Sequence, residues 1–240
     1  MSDVLSMNQI QLIINDRKII NNLSINVRQN NAVTIMGPNG AGKTTLLKIA
    51  LGLVQPTSGE LYLFGKKGID KERRKLLGYI PQNLGLVNEL SVFSNVIIGA
   101  LGEIPRWRSI LGMYPKDILD EVYSLLYELK ISHLKDIKVK KLSGGEKQRV
   151  AIARTLIQKP SVIFADEMIA SLDFKAAASV MEIFTEIRKK KGITLLMTHH
   201  NPEITKMYSD TVFIMINGRI DKKIESKEIN KETISSLYEA

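Results

Sequence analysis

The chain has no cysteine, so a disulfide framework and any thiolate zinc or redox site are excluded. Its three histidines are too few for a His-rich metal site but enough for one catalytic role. No apolar run reaches the roughly 18–20 residues that cross a bilayer. The opening residues, Met1-Ser2-Asp3-Val4-Leu5, lack the basic stretch and apolar run of a secretion signal. The expectation is a soluble, cytoplasmic chain. Aromatics are missing from the densest basic runs, Lys138-Val139-Lys140-Lys141 and Lys189-Lys190-Lys191. The net charge of +9 therefore reads as solvated faces, not a nucleic-acid footprint. Internal repeats and low-complexity segments are also absent. What remains is 240 residues with 44% hydrophobic content, an ordinary globular composition with room for a core.

The most informative stretch is Gly37-Pro38-Asn39-Gly40-Ala41-Gly42-Lys43-Thr44-Thr45. It follows the apolar run Ala32–Met36 and opens into Leu46-Leu47-Lys48-Ile49-Ala50, so the order is strand, glycine loop, helix. That pattern is a phosphate-binding loop. Glycines let successive N–H groups wrap a phosphate, and the new helix points its positive end at the same charge. Lys43 can reach the outer phosphates and the Thr44 hydroxyl can ligate Mg²⁺.

Along the chain, Gln9–Ile14 and Leu23–Val27 read as short strands, as do Glu60–Gly65 and Leu77–Ile80, which stops at Pro81-Gln82. Lys66–Lys75 reads as a surface loop or helix start. Ser91 caps a helix through Ile98. Ile118, Leu119, Val122, Leu125, Leu126 and Leu129 recur at helical spacing. Arg106-Trp107-Arg108 holds the only tryptophan, with core packing and partner contact both open. A helix runs from the Leu142–Glu146 stretch to about Gln158, and Ala176–Lys191 is another, stopped by Gly192. Val162–Ala165, Thr194–Thr198 and Thr211–Ile216 are strands, with Asn217-Gly218 a hairpin turn. The tail from Glu225 is a marginal terminal helix. Alternating strands and helices predict a largely parallel sheet covered by helices.

Val162-Ile163-Phe164-Ala165-Asp166-Glu167 is a buried strand ending in two carboxylates. Beside a phosphate loop, Asp166 suits Mg²⁺ and Glu167 suits the attacking water. Leu142-Ser143-Gly144-Gly145-Glu146 then gives the set its meaning. Together with Gln82, Ser171-Leu172-Asp173 and a late histidine, all in order, the chain resembles the ATP-binding cassette (ABC) ATPase family.

The resemblance covers nearly the whole chain. It implies an α/β fold of the P-loop NTPase ABC type, with a mainly parallel core sheet, an N-terminal antiparallel β subdomain and a helical insertion. It implies a single domain over 1–240, the insertion at about 85–150 and the marginal helix at 225–240. The cofactors implied are ATP and Mg²⁺, with Thr44, Gln82 and Asp166 on the metal. Glu167, His200 and Gln82 are the implied catalytic residues. Ser143, Gly144, Gly145 and Glu146 would meet ATP held by a second copy, next to the D-loop residue Asp173.

Three departures from the family stand out. Ile14 occupies the position of the usual adenine-stacking aromatic. Met168 and Phe174 stand where prolines are common. Thr198-His199-His200 offers two histidines for one role, and adjacent strand residues point to opposite faces. Counting from Gly192 or from Asp210 selects His200; His133 reads as surface.

Asn95-Val96-Ile97-Ile98-Gly99-Ala100-Leu101-Gly102 and Pro105-Arg106-Trp107-Arg108, with Ile169-Ala170-Ser171-Leu172-Asp173, resemble the phosphonate-import ATPases. That resemblance implies a homodimer at the cytoplasmic face of the membrane. Its partners would be two permease subunits and, indirectly, an extracytoplasmic substrate-binding protein, with no nucleic acid. The cargo would be a phosphonate or a related oxyanion such as phosphite. Soluble ABC ATPases of translation or nucleic-acid processes, and scaffold ATPases of cofactor assembly, are the alternative classes.

Overall fold

The computed structural model describes residues 2–229. The strands form two separate sheets. The first is antiparallel, in the order β2-β1-β4-β5. It is built from β1 (Asp3–Ile14), β2 (Arg17–Arg28), β4 (Ser58–Leu63) and β5 (Lys66–Lys67). The second has the order β10-β9-β3-β8-β7-β6. Its members are β3 (Ala32–Met36), β6 (Leu77–Ile80), β7 (Val162–Asp166), β8 (Thr194–Thr198), β9 (Thr211–Ile216) and β10 (Arg219–Glu225). All its pairings are parallel except the β9–β10 hairpin at Asn217-Gly218.

The continuous apolar runs of β3, β7 and β8 follow from burial on both faces. Ile163, Ala165, Leu195 and Met197 point into a core shared with helices. Those helices are α3 (Val92–Gly99), α5 (Lys116–Glu128), α6 (Gly144–Leu156) and α7 (Phe174–Lys191). Val162, Phe164, Val33, Ile35 and Leu196 point the other way, into a core made with the antiparallel sheet and α1 (Lys43–Ala50). The alternation of a strand thus splits one sheet between two cores. The short helices α2 (Lys71–Lys75), α4 (Arg106–Ile110) and α8 (Pro202–Tyr208) complete the α-helices of the described residues.

Several expected boundaries move. β1 and β2 are each 12 residues long, because β-bulges let the strands continue past Gln9 and Asn22 with positive φ, while Asn15-Asp16 forms the turn between them. Lys66–Lys75 holds the two-residue strand β5 and a helix capped by Asp70. α7 begins at Phe174, two residues early, because Asp173 caps it through the Ala176 N–H. The helix after Leu142 closes at Leu156, short of Gln158. Glu225 ends a strand instead of opening a helix, followed by one 3₁₀ turn at Ser226–Glu228. The rest of the expected terminal helix lies outside the described residues. Ser91 does cap α3, accepting from the Ser94 N–H. Trp107 is 56% exposed with Arg108 over its ring, so core packing is not its role.

Candidate active site

Three parallel strands deliver the site at their C-terminal ends, where open α/β sheets hold ligands. β3 hands over to Gly37–Gly42, β7 ends in Asp166 and β8 ends in Thr198. Gly37 is required by close approach: a Cβ there would sit 2.1 Å from the Met215 carbonyl oxygen. Gly42 is required by conformation, with φ at 99° as the N-cap of α1. No side chain caps that helix, so its first N–H groups face the loop's concavity. The loop borders a cleft of about 410 Å³. Asn39, Gly40, Gly42, Lys43, Thr44 and Thr45 line it from below, with Gln82, Glu167 and Ile19 around the rim.

Lys43 is buried, its ammonium donating to the carbonyls of Gly37 (2.9 Å) and Pro38 (3.0 Å). Burial holds its pKa below the ordinary lysine value, partly offset by the charges of Glu167 and Asp166. Glu167 stands 3.8 Å away. The carboxylate of Asp166 is buried and accepts from the hydroxyls of Thr198 (2.7 Å) and Thr44 (3.1 Å). Glu167 leaves the strand with φ at 46°, a left-handed conformation that costs about 1–3 kcal/mol for such a residue. Its amide is pinned by the Thr198 hydroxyl (3.0 Å) and carbonyl (3.3 Å). This turn of the backbone swings Glu167 to the cleft, where Gln82 donates to it at 3.2 Å.

The two histidines lie just past the end of β8 rather than within it, so strand alternation does not apply to them, and they differ in burial. His199 is 3% exposed, while the side chain of His200 is half exposed with Nδ1 4.0 Å from the Glu167 carboxylate. The site therefore gathers Gly37–Thr45, Gln82, Asp166, Glu167 and His200. Ile14 stays half exposed at the end of β1 and does not line the cleft; Ile19 does. Ser143–Glu146 is also outside the cleft lining. Ser143 caps α6 and is closed by Glu146: the Ser143 N–H and hydroxyl both donate to one carboxylate oxygen at 2.7 Å. Those bonds hold the Glu146 carboxyl below the usual range. Asp173 is occupied as the cap of α7.

Sequence reasoning missed Thr198 and Ile19. Thr198 had a signal: a threonine closing an otherwise apolar strand beside the one that ends in Asp166. Ile19 had none, because its place depends on the folding of the hairpin over the loop.

The arrangement suits a nucleoside triphosphate. Backbone N–H groups and Lys43 offer positive potential, and the oxygen-only set of Thr44, Asp166 and Gln82 is the chemistry a Mg²⁺ ion takes. Among the described residues no helix is long and apolar enough to cross a membrane.

Comparison with known proteins agrees. A family model described as ABC transporter matches residues 20–170. The phosphonates import ATP-binding protein PhnC of Maricaulis maris is 34% identical over 233 residues, covering 93% of this chain and 88% of the relative. Its namesake from Fusobacterium nucleatum is 35% identical, covering 93% of both. Among solved structures, the ADP conformation of an ATP-binding cassette of an ABC transporter superposes with a TM-score of 0.86 at 28% identity. That match covers 100% of this chain and 98% of the other. The structure of cbiO1 from Clostridium perfringens, part of the ABC transporter complex cbiONQ, also gives 0.86, at 29% identity over 98% and 93%. The chain belongs to the ABC transporter family, as one of its ATP-binding, ATP-hydrolysing cassettes.

Proposed function

We propose that this chain is the ATPase subunit of an importer for phosphonates or a related phosphorus oxyanion, working as a homodimer on the cytoplasmic face of a membrane. The observation that carries the dimer is geometric. The phosphate cradle and the hydrolytic carboxylate share one cleft, while Ser143–Glu146, a second glycine-bearing helix start, lies outside it. A second copy supplies that helix start to the open side of the cleft. The cargo is supported by the names of the relatives, 32–36% identical over most of the chain.

In this reading Gly37–Thr45 and Lys43 hold the phosphates. Thr44, Gln82 and Asp166 would hold a Mg²⁺ ion, which would supply positive charge to the outer phosphates. Glu167 orients and deprotonates water, and His200 hydrogen-bonds the terminal phosphate. Gln82, in contact with Glu167, is followed in sequence by a stretch with exposed apolar side chains that include Val87, Leu90, Trp107, Ile110 and Leu111. Asn95 ties that stretch down from within, accepting from the Val87 N–H and donating to the Val87 and Ser91 carbonyls. Arg154 of α6 donates to the carbonyls of Leu84 and Gly85 at 2.6 Å each. A permease helix seated on the apolar stretch would thereby be linked to both Gln82 and the helix that starts at Ser143.

The test is ATPase activity of the chain reconstituted with its cognate permease and binding protein in liposomes. Phosphonate, phosphite and a phosphate ester should stimulate hydrolysis, and sulfate should not. Ile110→Glu should abolish the stimulation and spare basal activity. Stimulation by an unrelated solute alone would overturn the cargo. Full stimulation of Ile110→Glu would overturn the docking surface.

A further inference from the structure

His199 has no part in the chemistry above, yet its surroundings are unusual. The ring is 3% exposed and, among the described residues, neither nitrogen has a hydrogen-bond partner. Buried polar groups are paired in the large majority of cases, and an unpaired one is costly. Its main chain is fixed, the amide donating to the Ile35 carbonyl at 3.3 Å. Its ring lies 5.4 Å from that of His200. Burial and the His200 charge push its pKa down to about 4, so the ring is neutral and offers one donor and one acceptor.

The ring faces a cavity of about 230 Å³ walled by Ile169, Leu172, Phe174 and Ile204. Ile169 and Leu172 belong to the turn between Glu167 and α7, and Phe174 opens α7. Ser171, in the same turn, is exposed and stands outside the cavity lining, and among the described residues its side chain has no hydrogen-bond partner, whereas the Asp173 carboxylate caps α7. The turn is also in contact with the second helix start, since a Cβ on Gly144 would lie 2.8 Å from Leu172. Pressure on Ser143–Glu146 is therefore passed to Leu172 and to the cavity behind it.

We propose that His199 is a positioning residue: when two cassettes close on ATP, the Ile169–Phe174 turn moves onto its unpaired imidazole, forms a hydrogen bond with it and is fixed against the loop that carries His200. The open cassette holds an unpaired polar group that closure satisfies, so the same residue weakens the monomer and favours the dimer. This rests on the ATP-closed dimer of the preceding subsection.

The test uses the full chain in a Glu167→Gln background, where hydrolysis is slowed and the closed state can be measured. ATP-driven dimerisation is followed by light scattering, and monomer stability by thermal unfolding without nucleotide. His199→Leu should raise the Tm by about 2–4 °C, because an unpaired polar ring is replaced by an apolar group of similar size. It should also weaken dimerisation about tenfold with monomer ATP affinity unchanged. His199→Gln keeps a donor and an acceptor; it should leave the Tm near that of the parent and dimerise within about threefold of it. Parent-like dimerisation by His199→Leu, or a lowered Tm, would overturn the proposal. So would a His199→Gln protein as weak as His199→Leu. A Glu167→Gln parent that stays monomeric with ATP and Mg²⁺ overturns the closed dimer itself, and this inference with it.

Discussion

Two helices of this chain begin at glycines, and their first turns are finished in opposite ways. α1 starts after Gly42 in a left-handed conformation with no side-chain cap. Its N–H groups are left for a ligand, and a buried lysine sits beside them. α6 starts after Ser143 with a complete capping box closed by Glu146. Its N–H groups are partly satisfied within the chain and a negative charge stands over them. The first helix start is a ready anion site; the second is closed until something displaces or accommodates Glu146. Substitutions at the first should change ATP binding by a single chain, and substitutions at the second should not.

The largest effect belongs to the first site. Lys43→Ala removes the only ammonium in the cleft lining, and charge-assisted hydrogen bonds contribute about 1.5–3 kcal/mol each. ATP affinity measured by calorimetry should fall roughly 10²-fold. Wild-type affinity in that variant would break the comparison at its root.

The next effect separates binding from chemistry. His200 is within reach of the cleft at Glu167, while His199 is buried behind it. His200→Ala should lose roughly 10²-fold of kcat with ATP binding retained, as expected for a group acting on the transition state. His199→Ala should lose less than about tenfold. Steady-state ATPase assays on both variants decide this, and the reverse ranking would move the role to His199.

These residues also show what could be read in advance. The phosphate loop, the carboxylate pair and the parallel strands were legible because each is a local pattern with one chemical purpose. His200 was singled out by counting, and it lies 4.0 Å from Glu167 while its neighbour is buried, but β8 ends at Thr198, so the argument from alternating strand faces does not reach either histidine. Ile14, expected at the adenine, is exposed at the end of β1 and outside the lining of the phosphate cleft, whereas Ile19 reaches that lining, a placement that depends on bulges sequence does not display. Strand lengths in that hairpin were underestimated for the same reason. Trp107 left two readings open, since a local window of sequence does not show which face of a short helix finds a core.

A smaller effect comes from Thr198, which sequence did not single out. Its hydroxyl donates to Asp166 and accepts from the Glu167 N–H. Thr198→Val keeps the shape and removes both bonds, leaving a buried carboxylate oxygen with Thr44 alone. Stability in denaturant unfolding should fall by about 1–3 kcal/mol, with kcat reduced about tenfold as Glu167 loses one of its two tethers. An unchanged kcat would mean that the Thr198 carbonyl is sufficient to hold the strained residue.

The smallest effect tests the closed helix start directly. The Ser143 hydroxyl and N–H hold the Glu146 carboxyl below the usual carboxylate range, with the charges of His133 and Arg149 adding to this and burial opposing it. A carboxylate whose folded pKa is depressed stabilises the fold fully above its unfolded value, about 4.3. That contribution is lost as pH falls through the lower, folded value. Glu146→Gln keeps an acceptor for the Ser143 N–H but carries no charge. At pH 7 the variant should be less stable by under about 1 kcal/mol, the range for a partly exposed charge at a helix N-terminus. The gap should close progressively below about pH 4. ATP affinity of the single chain should stay at the wild-type value, because Glu146 does not line the cleft. Thermal unfolding of both proteins across pH 3–7 measures the gap. A gap that persists unchanged at the lowest pH would show that Glu146 acts at this helix by packing, not by charge, and the contrast between the two helix starts would then rest on geometry alone.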